Sequence, residues 1–283
     1  MIKKKRRWGL AICAVMLIVM LIGFNQQLKI VRYTLDTGKL PQPIRLALIT
    51  DLHSCAYGQD MGDLLSAIDS QSPDAILLGG DIFDDVLAVT NTVKLLQGLS
   101  GRYPCYYVTG NHEYWSGQEA FQQMMGLLET CGVIRLQGDA VLFEKGDSRI
   151  YLCGVDDPSA WKPGGEYGHL GIRGFQNQLE KAAAGIEGDA YTVLLTHRPE
   201  QIELYRQYDF DLVLAGHAHG GQWRIPGLLN GVFAPNQGLF PEYAGGRYDL
   251  GDVNLIVSRG LARETTRVPR FFNRPELVIL QLQ

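Results

Sequence analysis

The chain is sparing with cysteine and with positive charge. It has no internal repeat or low-complexity segment, and its one long hydrophobic run stands at the start. The five cysteines, at 13, 55, 105, 131 and 153, show no metal-type spacing, and most of the histidine clusters have no cysteine beside them. That pattern argues against a thiolate structural site. Cys105 and Cys153 fall in predicted strands, where a thiol serves as a small buried hydrophobe. Cys55, two residues after His53, sits near the histidines without being needed as a ligand. Disulfides stay open outside the cytoplasm, but the sequence pairs no two of these residues. Of 26 basic residues, five lie in the first seven positions, so the remainder carries 21 against 30 acids, or −9. Sequence-independent nucleic-acid binding needs a basic surface, and no nucleic-acid partner is expected.

What the start does contain is topological. Lys3, Lys4, Lys5, Arg6 and Arg7 precede an uncharged apolar run from Trp8 to Phe24, 17 residues long. At about 1.5 Å per residue the run reaches the low end of what spans a bilayer. A basic flank keeps the start in the cytoplasm and exports the rest. No A-x-A-like cleavage site follows around Gly23-Phe24-Asn25-Gln26-Gln27, so an uncleaved signal anchor is expected. Arg6-Arg7 leaves a twin-arginine route open. The expected organisation is a basic cytoplasmic start (1–7), a transmembrane signal anchor (8–24), a linker leading into the domain (25–43), and one α/β domain (44–283). Some 240 residues suit a single large α/β domain.

Five of the six histidines sit in short clusters: Asp51-Leu52-His53, Gly110-Asn111-His112-Glu113, His197, and Gly216-His217-Ala218-His219, with Gly80-Asp81 between the first two. An apolar run of strand length precedes each, at 44–49, 75–78, 105–108, 193–195 and 212–215. Such runs read as strands covered on both faces. Only a fold that gathers strand ends can unite clusters so far apart in sequence. Alternation at a strand end points Asp51 and His53 to one side, and His217 and His219 likewise. Mixed imidazole and carboxylate donors suit zinc, manganese or iron. Two such ions about 3.5–4 Å apart can clamp a phosphate. Helical periodicity appears at 61–71, 86–99, 118–131, 176–184 and 199–208, and more strands are expected at 253–257 and 277–280. His169 matches no cluster and reads as a loop residue.

The ordered set D-x-H, G-D, G-N-H-E, H and G-H-x-H resembles the calcineurin-like metallophosphoesterase superfamily over residues from about 45 to 283. The resemblance implies two packed mixed sheets flanked by helices, a four-layer sandwich, here preceded by the N-terminal helix. It implies two divalent ions (manganese, zinc or iron), the first bound by Asp51, His53 and His219, the second by Asn111, His197 and His217, with Asp81 bridging. Hydroxide held by both ions would attack phosphorus, and His112 would donate to the transition state or leaving oxygen. Glu113 would orient His112 by accepting its other N–H. The anchor, Gly216 to Gln222 and the following Arg224-Ile225-Pro226 resemble exported, membrane-anchored bacterial phosphodiesterases and UDP-2,3-diacylglucosamine diphosphatases. A lipid-linked or cell-envelope phosphoester is the substrate this implies, cleaved outside the cytoplasm at a bacterial cell membrane. A catalytically silent tethered scaffold and a protein phosphatase are the competing readings. All eight motif positions are present, whereas a silent scaffold usually lacks a ligand.

Substrate selection falls to loops. One stretch runs from Asp156 to Gly174, and another from Gly220 to Tyr248 holds Leu228, Leu229, Val232, Phe233, Leu239, Phe240 and Tyr243. Either these side chains face solvent as a lipid- or membrane-binding patch, or they pack as a small core under the loop. Arg198, Arg224, Arg259 and Arg263 are candidate phosphate clamps, and Arg259, just after a strand, is preferred.

Overall fold

Strands form wherever the apolar runs were expected, and additional ones complete two sheets. The computed structural model of the chain describes residues 2–161, 169–263 and 268–283, with side chains except at 2–7 and 169–171. The strands are β1 Lys29–Leu35, β2 Ile44–Ile49, β3 Ala75–Gly79, β4 Cys105–Val108, β5 Ile134–Arg135, β6 Asp139–Lys145, β7 Ser148–Gly154, β8 Tyr191–Leu195, β9 Leu212–Ala215, β10 Phe233–Ala234, β11 Gly238–Leu239, β12 Gly246–Asp249, β13 Asn254–Val257 and β14 Glu276–Leu282. The helices are α1 Ile2–Gly23, α2 Gly62–Asp69, α3 Thr90–Leu99, α4 Asn111–Trp115, α5 Gln118–Thr130, α6 His169–Ala184 and α7 Ile202–Tyr205.

The first sheet has the order β1-β14-β2-β3-β4-β5 and the second β12-β13-β9-β8-β7-β6. Both are mixed: β2, β3, β4 and β5 run parallel, as do β7, β8, β9 and β13, and antiparallel pairs join β14 to β2, β6 to β7 and β12 to β13. Alternation along β2 explains the layering. Leu46 and Leu48 point into the core between the sheets with Leu152, Val193, Leu195, Leu212 and Leu214. Ala47 and Ile49 point the other way, against Leu64 and Ile68 of α2 and Leu95 and Leu99 of α3. On the far side, Leu194, Val213 and Leu255 meet Phe175, Leu179, Ile202 and Tyr205 of α6 and α7. Buried on both faces, these strands have no polar side to alternate, hence their continuous apolar runs.

Three expectations change. Residues 25–43 are not simply a linker: Lys29–Leu35 forms β1, parallel to β14 in register from Lys29 with Glu276 to Leu35 with Leu282. The strand was hidden because only part of it is buried, so its side chains need not be apolar. The helix expected from Val86 begins at Thr90, with Thr92 buried and its hydroxyl donating to Ile82 O. His169 opens α6 rather than lying in a loop. The Asp156–Gly174 stretch falls partly outside the described residues.

Helix α1 ends at Gly23, not Phe24, and consecutive residues from Val15 to Ile22 are all exposed. Among the described residues no helix is long and apolar enough to cross a membrane. The described apolar side chains begin at Trp8, and 8–23 covers about 24 Å at 1.5 Å per residue, short of a hydrocarbon core of about 30 Å.

Candidate metal centre

All five clusters stand at the carboxyl ends of parallel strands: Asp51 follows β2, Asp81 β3, Asn111 β4, His197 β8 and His217 β9. The chain leaves these strands through unusual turns. Asp51, His53, Asp81, His217 and His219 have φ of 49°, 47°, 50°, 65° and 47°. A side chain in this left-handed region costs on the order of 1 kcal/mol or more and persists only where surroundings hold it. They do: Asp51 N–H donates to Gly80 O (3.0 Å) and His53 N–H to Asp81 O (2.9 Å), joining the β2 and β3 turns. Gly110 lets the third turn approach, because a Cβ there would collide with Asp81 Oδ1.

Each carboxylate is held by one oxygen and leaves the other without a partner. Asp51 Oδ1 accepts His217 N–H and Asp81 Oδ1 accepts His112 N–H, both at 2.9 Å. Two rings are fixed the same way: His53 Nδ1 donates to Asp84 Oδ2 (3.0 Å) and His197 Nδ1 to Gly79 O (2.9 Å). What remains is a set of buried atoms with no hydrogen-bond partner: Asp51 Oδ2, Asp81 Oδ2, His53 Nε2, His197 Nε2 and Asn111 Oδ1. Unsatisfied buried polar atoms are costly and rarely cluster by accident. These converge. Asp81 Oδ2 lies 3.6 Å from His53 Nε2 and 3.1 Å from His197 Nε2, and His219 Nε2 lies 3.7 Å from Asp51 Oδ1. Among the described residues four groupings are compact enough to hold an ion, Asp51–His53–His219, Asp81–His197–His217, His53–Asp81–His112 and Asp84–Asp85–His112. The donors, imidazole, carboxylate and amide oxygen, fit borderline divalent ions.

Residues 44–221 match the calcineurin-like phosphoesterase family. The chain belongs to this family. It is a metal-dependent phosphoester hydrolase of a dinuclear-metal family. An uncharacterized metallophosphoesterase of Aquifex aeolicus is 28% identical over 263 residues, covering 90% of this chain and 92% of that one. The phosphodiesterase YaeI of Escherichia coli is 28% identical over 244 residues, 85% of this chain and 82% of its own. Among solved structures, a putative 5'-nucleotidase from Staphylococcus aureus superposes with a TM-score of 0.53 at 12% identity over 84% of this chain. The chain spans about half of that structure (54%), and the likeness is one of fold.

Two expected roles in this phosphoesterase change. Glu113 does not orient His112. Its carboxylate accepts the N–H groups of Asp81 (3.1 Å), Ile82 (2.8 Å), Phe83 (3.2 Å) and Gly110 (2.9 Å), so it clamps the β3 and β4 turns together. The partner of His112 is Asp85, whose Oδ1 accepts from Nδ1 at 2.6 Å. Arg259 is not a free phosphate clamp: it is buried, donates to Asn230 Oδ1 and Gly245 O (2.8 Å each) and faces Glu276 Oε2 at 3.6 Å. The other three arginines are also engaged within the protein. Arg198 pairs with Asp157 and Asn236, Arg224 donates to Asn230 O, and Arg263 lies over Tyr57.

Sequence reasoning missed Asp84, Asp85 and Asn236. Asp84 and Asp85 carried a readable signal, lying three and four residues beyond Asp81 in the same strand-end turn. Asn236 carried none. It belongs to the β10–β11 hairpin and meets His217 Nε2 at 2.8 Å only through tertiary folding.

The protons are unevenly placed. Burial opposes charge on His53, but its bond to Asp84 and the charges of Asp81 and Asp51 outweigh that and raise it. At His197 burial is likewise outweighed, chiefly by Asp81, which holds the imidazolium up to about 10. Burial and Arg198 push His217 well below its usual value, and burial takes His219 down to about 3. Burial and the charge of Asp81 push Glu113 up to about 7, against the pull of its four N–H donors. Where no ion is bound, the proton on His197 offsets the charge of Asp81. Because a ligating imidazole nitrogen must shed its proton, metal loading releases protons below about pH 10, and apparent affinity falls as pH falls. Titration calorimetry in buffers of different ionisation heat checks this. Heats independent of the buffer contradict it.

Proposed function

We propose that this phosphoesterase cleaves a phosphodiester or diphosphate bond of a lipid-linked or cell-envelope substrate, with Asp51, His53 and His219 on one ion, Asn111, His197 and His217 on a second, and Asp81 shared. The observation that carries the ligand set is the convergence of partnerless buried atoms, with Asp81 Oδ2 between His53 Nε2 and His197 Nε2. Manganese, zinc or iron, when bound, supplies Lewis acidity at the phosphoryl oxygens and lowers the pKa of the attacking water.

The chain positions and protonates. Gly79 O and Asp84 fix the tautomer and tilt of His197 and His53, leaving Nε2 of each for an ion. His112 stands edge-on to His53, with ring centroids 4.3 Å apart, and is partly exposed. With Nδ1–H held by Asp85, Nε2 is the nitrogen left to donate to a developing phosphoryl charge or the leaving oxygen. Trp115 covers the ring at 4.6 Å. Asp85→Asn keeps shape but loses the carboxylate. It lowers kcat by about tenfold or more with KM and metal content near wild type; unchanged kcat refutes the positioning role of Asp85.

We also propose that α1 anchors the enzyme in a bacterial cell membrane with the domain on the extracytoplasmic side. The first turns of α1 carry five cations, Lys3 to Arg7, and the stretch from Trp8 to Ile22 that follows is uncharged and exposed throughout; flanking lysines and arginines extend a short apolar stretch by snorkelling. Activity is tested on the full chain in detergent, stripped of metal and assayed on bis-p-nitrophenyl phosphate and p-nitrophenyl phosphate with manganese, zinc, iron or nothing added. Restoration by an added ion supports the reading. Equal hydrolysis without metal overturns it.

A further inference from the structure

The connection that leaves the metal centre is apolar on its outside. From Gln222 to Pro241 the one charged residue is Arg224, which is partly buried and donates to Asn230 O at 3.1 Å. Around it Trp223, Ile225, Leu228, Phe233, Leu239 and Phe240 are exposed, Leu228 by 82% and Phe240 by 67%. The small-core alternative therefore fails for Leu228, Phe233, Leu239 and Phe240, while Leu229, Val232 and Tyr243 are half-buried. Phe233 and Leu239 pair across the β10–β11 hairpin, and Phe240 N–H is tied to Val232 O at 2.8 Å, so the apolar rim is held by backbone bonds. A contiguous exposed patch of this kind on a soluble face is costly and marks a binding surface.

Its two ends decide the occupant. One end reaches the metal centre, where Asn236, in the hairpin, meets His217 Nε2 at 2.8 Å. The other end reaches α1. Phe24, just past the helix, packs on Phe271 (4.9 Å between centroids), Phe271 packs on Trp223 (5.5 Å), and Phe272 N–H donates to Gly23 O at 2.6 Å. From Trp8 to Ile22 helix α1 is uncharged and exposed on every side, so whatever covers it lies beside the rim.

We propose that the rim Trp223–Phe240 docks on the bilayer that receives α1 and holds the mouth of the metal centre at headgroup level, so that the enzyme takes phosphoesters carried on membrane lipids. The inference rests on the phosphoester-hydrolase reading and names its substrate class. A rim whose one charged side chain, Arg224, is partly buried enters the interfacial region at low desolvation cost, while α1 removes the translational entropy of finding it. Aromatic Trp223, Phe233 and Phe240 are the side chains that favour this depth.

The full chain is reconstituted in vesicles of phosphatidylethanolamine with a minority of phosphatidylglycerol. Two substrates with one chemistry are compared, soluble bis-p-nitrophenyl phosphate and a diacylglycerol p-nitrophenyl phosphodiester in the vesicle. Leu228→Glu with Phe240→Glu leaves the soluble rate unchanged and lowers the lipid-borne rate by about tenfold or more. Brominated lipid quenches wild-type tryptophan fluorescence, and Trp223→Phe removes part of that quenching. The docking surface is overturned if the variant matches wild type on both substrates, or if quenching is the same with and without Trp223. It is equally overturned if the rim instead holds two copies together, seen as detergent-solubilised dimers that the glutamates split while Trp223 stays unquenched. A wild-type protein that cleaves neither substrate with any metal defeats the underlying hydrolase reading instead. If the glutamates disturb folding and lower both rates, the quenching measured on wild type and Trp223→Phe still decides.

Discussion

Asp81→Ala gives a folded protein that holds no more than one ion per chain and hydrolyses phosphodiesters about a thousandfold or more below wild type. The expectation follows from where its carboxylate sits. Oδ1 is fixed by His112 N–H, and Oδ2 lies between His53 Nε2 and His197 Nε2. No other carboxylate is grouped with both His53 and His197 among the described residues. Two cations held close together repel each other, and the shared anion offsets that. Removing it costs several kcal/mol of stabilisation, at about 1.36 kcal/mol per decade of rate. The variant also removes the group that holds the His197 proton, so the imidazolium of the metal-free protein titrates at lower pH, as NMR would record. Asp81→Asn separates shape from charge: it keeps an acceptor for His112 N–H but also loses metal. Wild-type metal content and rate in either variant would refute the shared-ligand role.

His112→Ala behaves differently. It keeps both ions and loses about 10²- to 10⁴-fold in kcat, the range for removal of a positioned proton donor. His112 contributes its backbone N–H to Asp81, which alanine retains, while its ring is bound to Asp85 rather than placed among the partnerless atoms. Metal content near wild type with kcat lost, and KM little changed, marks a group that acts mainly in the transition state. Loss of metal from this variant would instead make His112 a ligand. Asp81→Ala loses ions and rate together, His112→Ala loses rate alone, and the contrast separates ligand from donor.

Much of this site was legible because strand-end chemistry is local. Asp51, His53, Asp81, Asn111, His197, His217 and His219 each follow an apolar run whose continuity comes from burial on both faces, and the structure groups the six aspartates and histidines among them. Partners chosen by side-chain direction were not legible. Glu113 is adjacent to His112 in sequence, yet α4 turns its carboxylate inward to four N–H groups, and Asp85, 27 residues before His112, takes the ring. Strand β1 was not legible for a different reason. β1 finds its place through β14, from Lys29 to Glu276, and a half-exposed edge strand has neither continuous apolar character nor clean alternation. Arg259 read as a clamp because an arginine after a strand resembles one, but Glu276, Asn230 and Gly245 were invisible to any local pattern.

The most direct measurement counts ions and rate together. Full-length protein is stripped of metal and titrated with manganese or zinc, while bound metal per chain and phosphodiester hydrolysis are followed in the same sample. The two-ion centre predicts no hydrolysis without metal and a rate that rises to its maximum as two ions per chain bind. Full hydrolysis in the stripped protein, or full activity at a single ion with no second site, would contradict it.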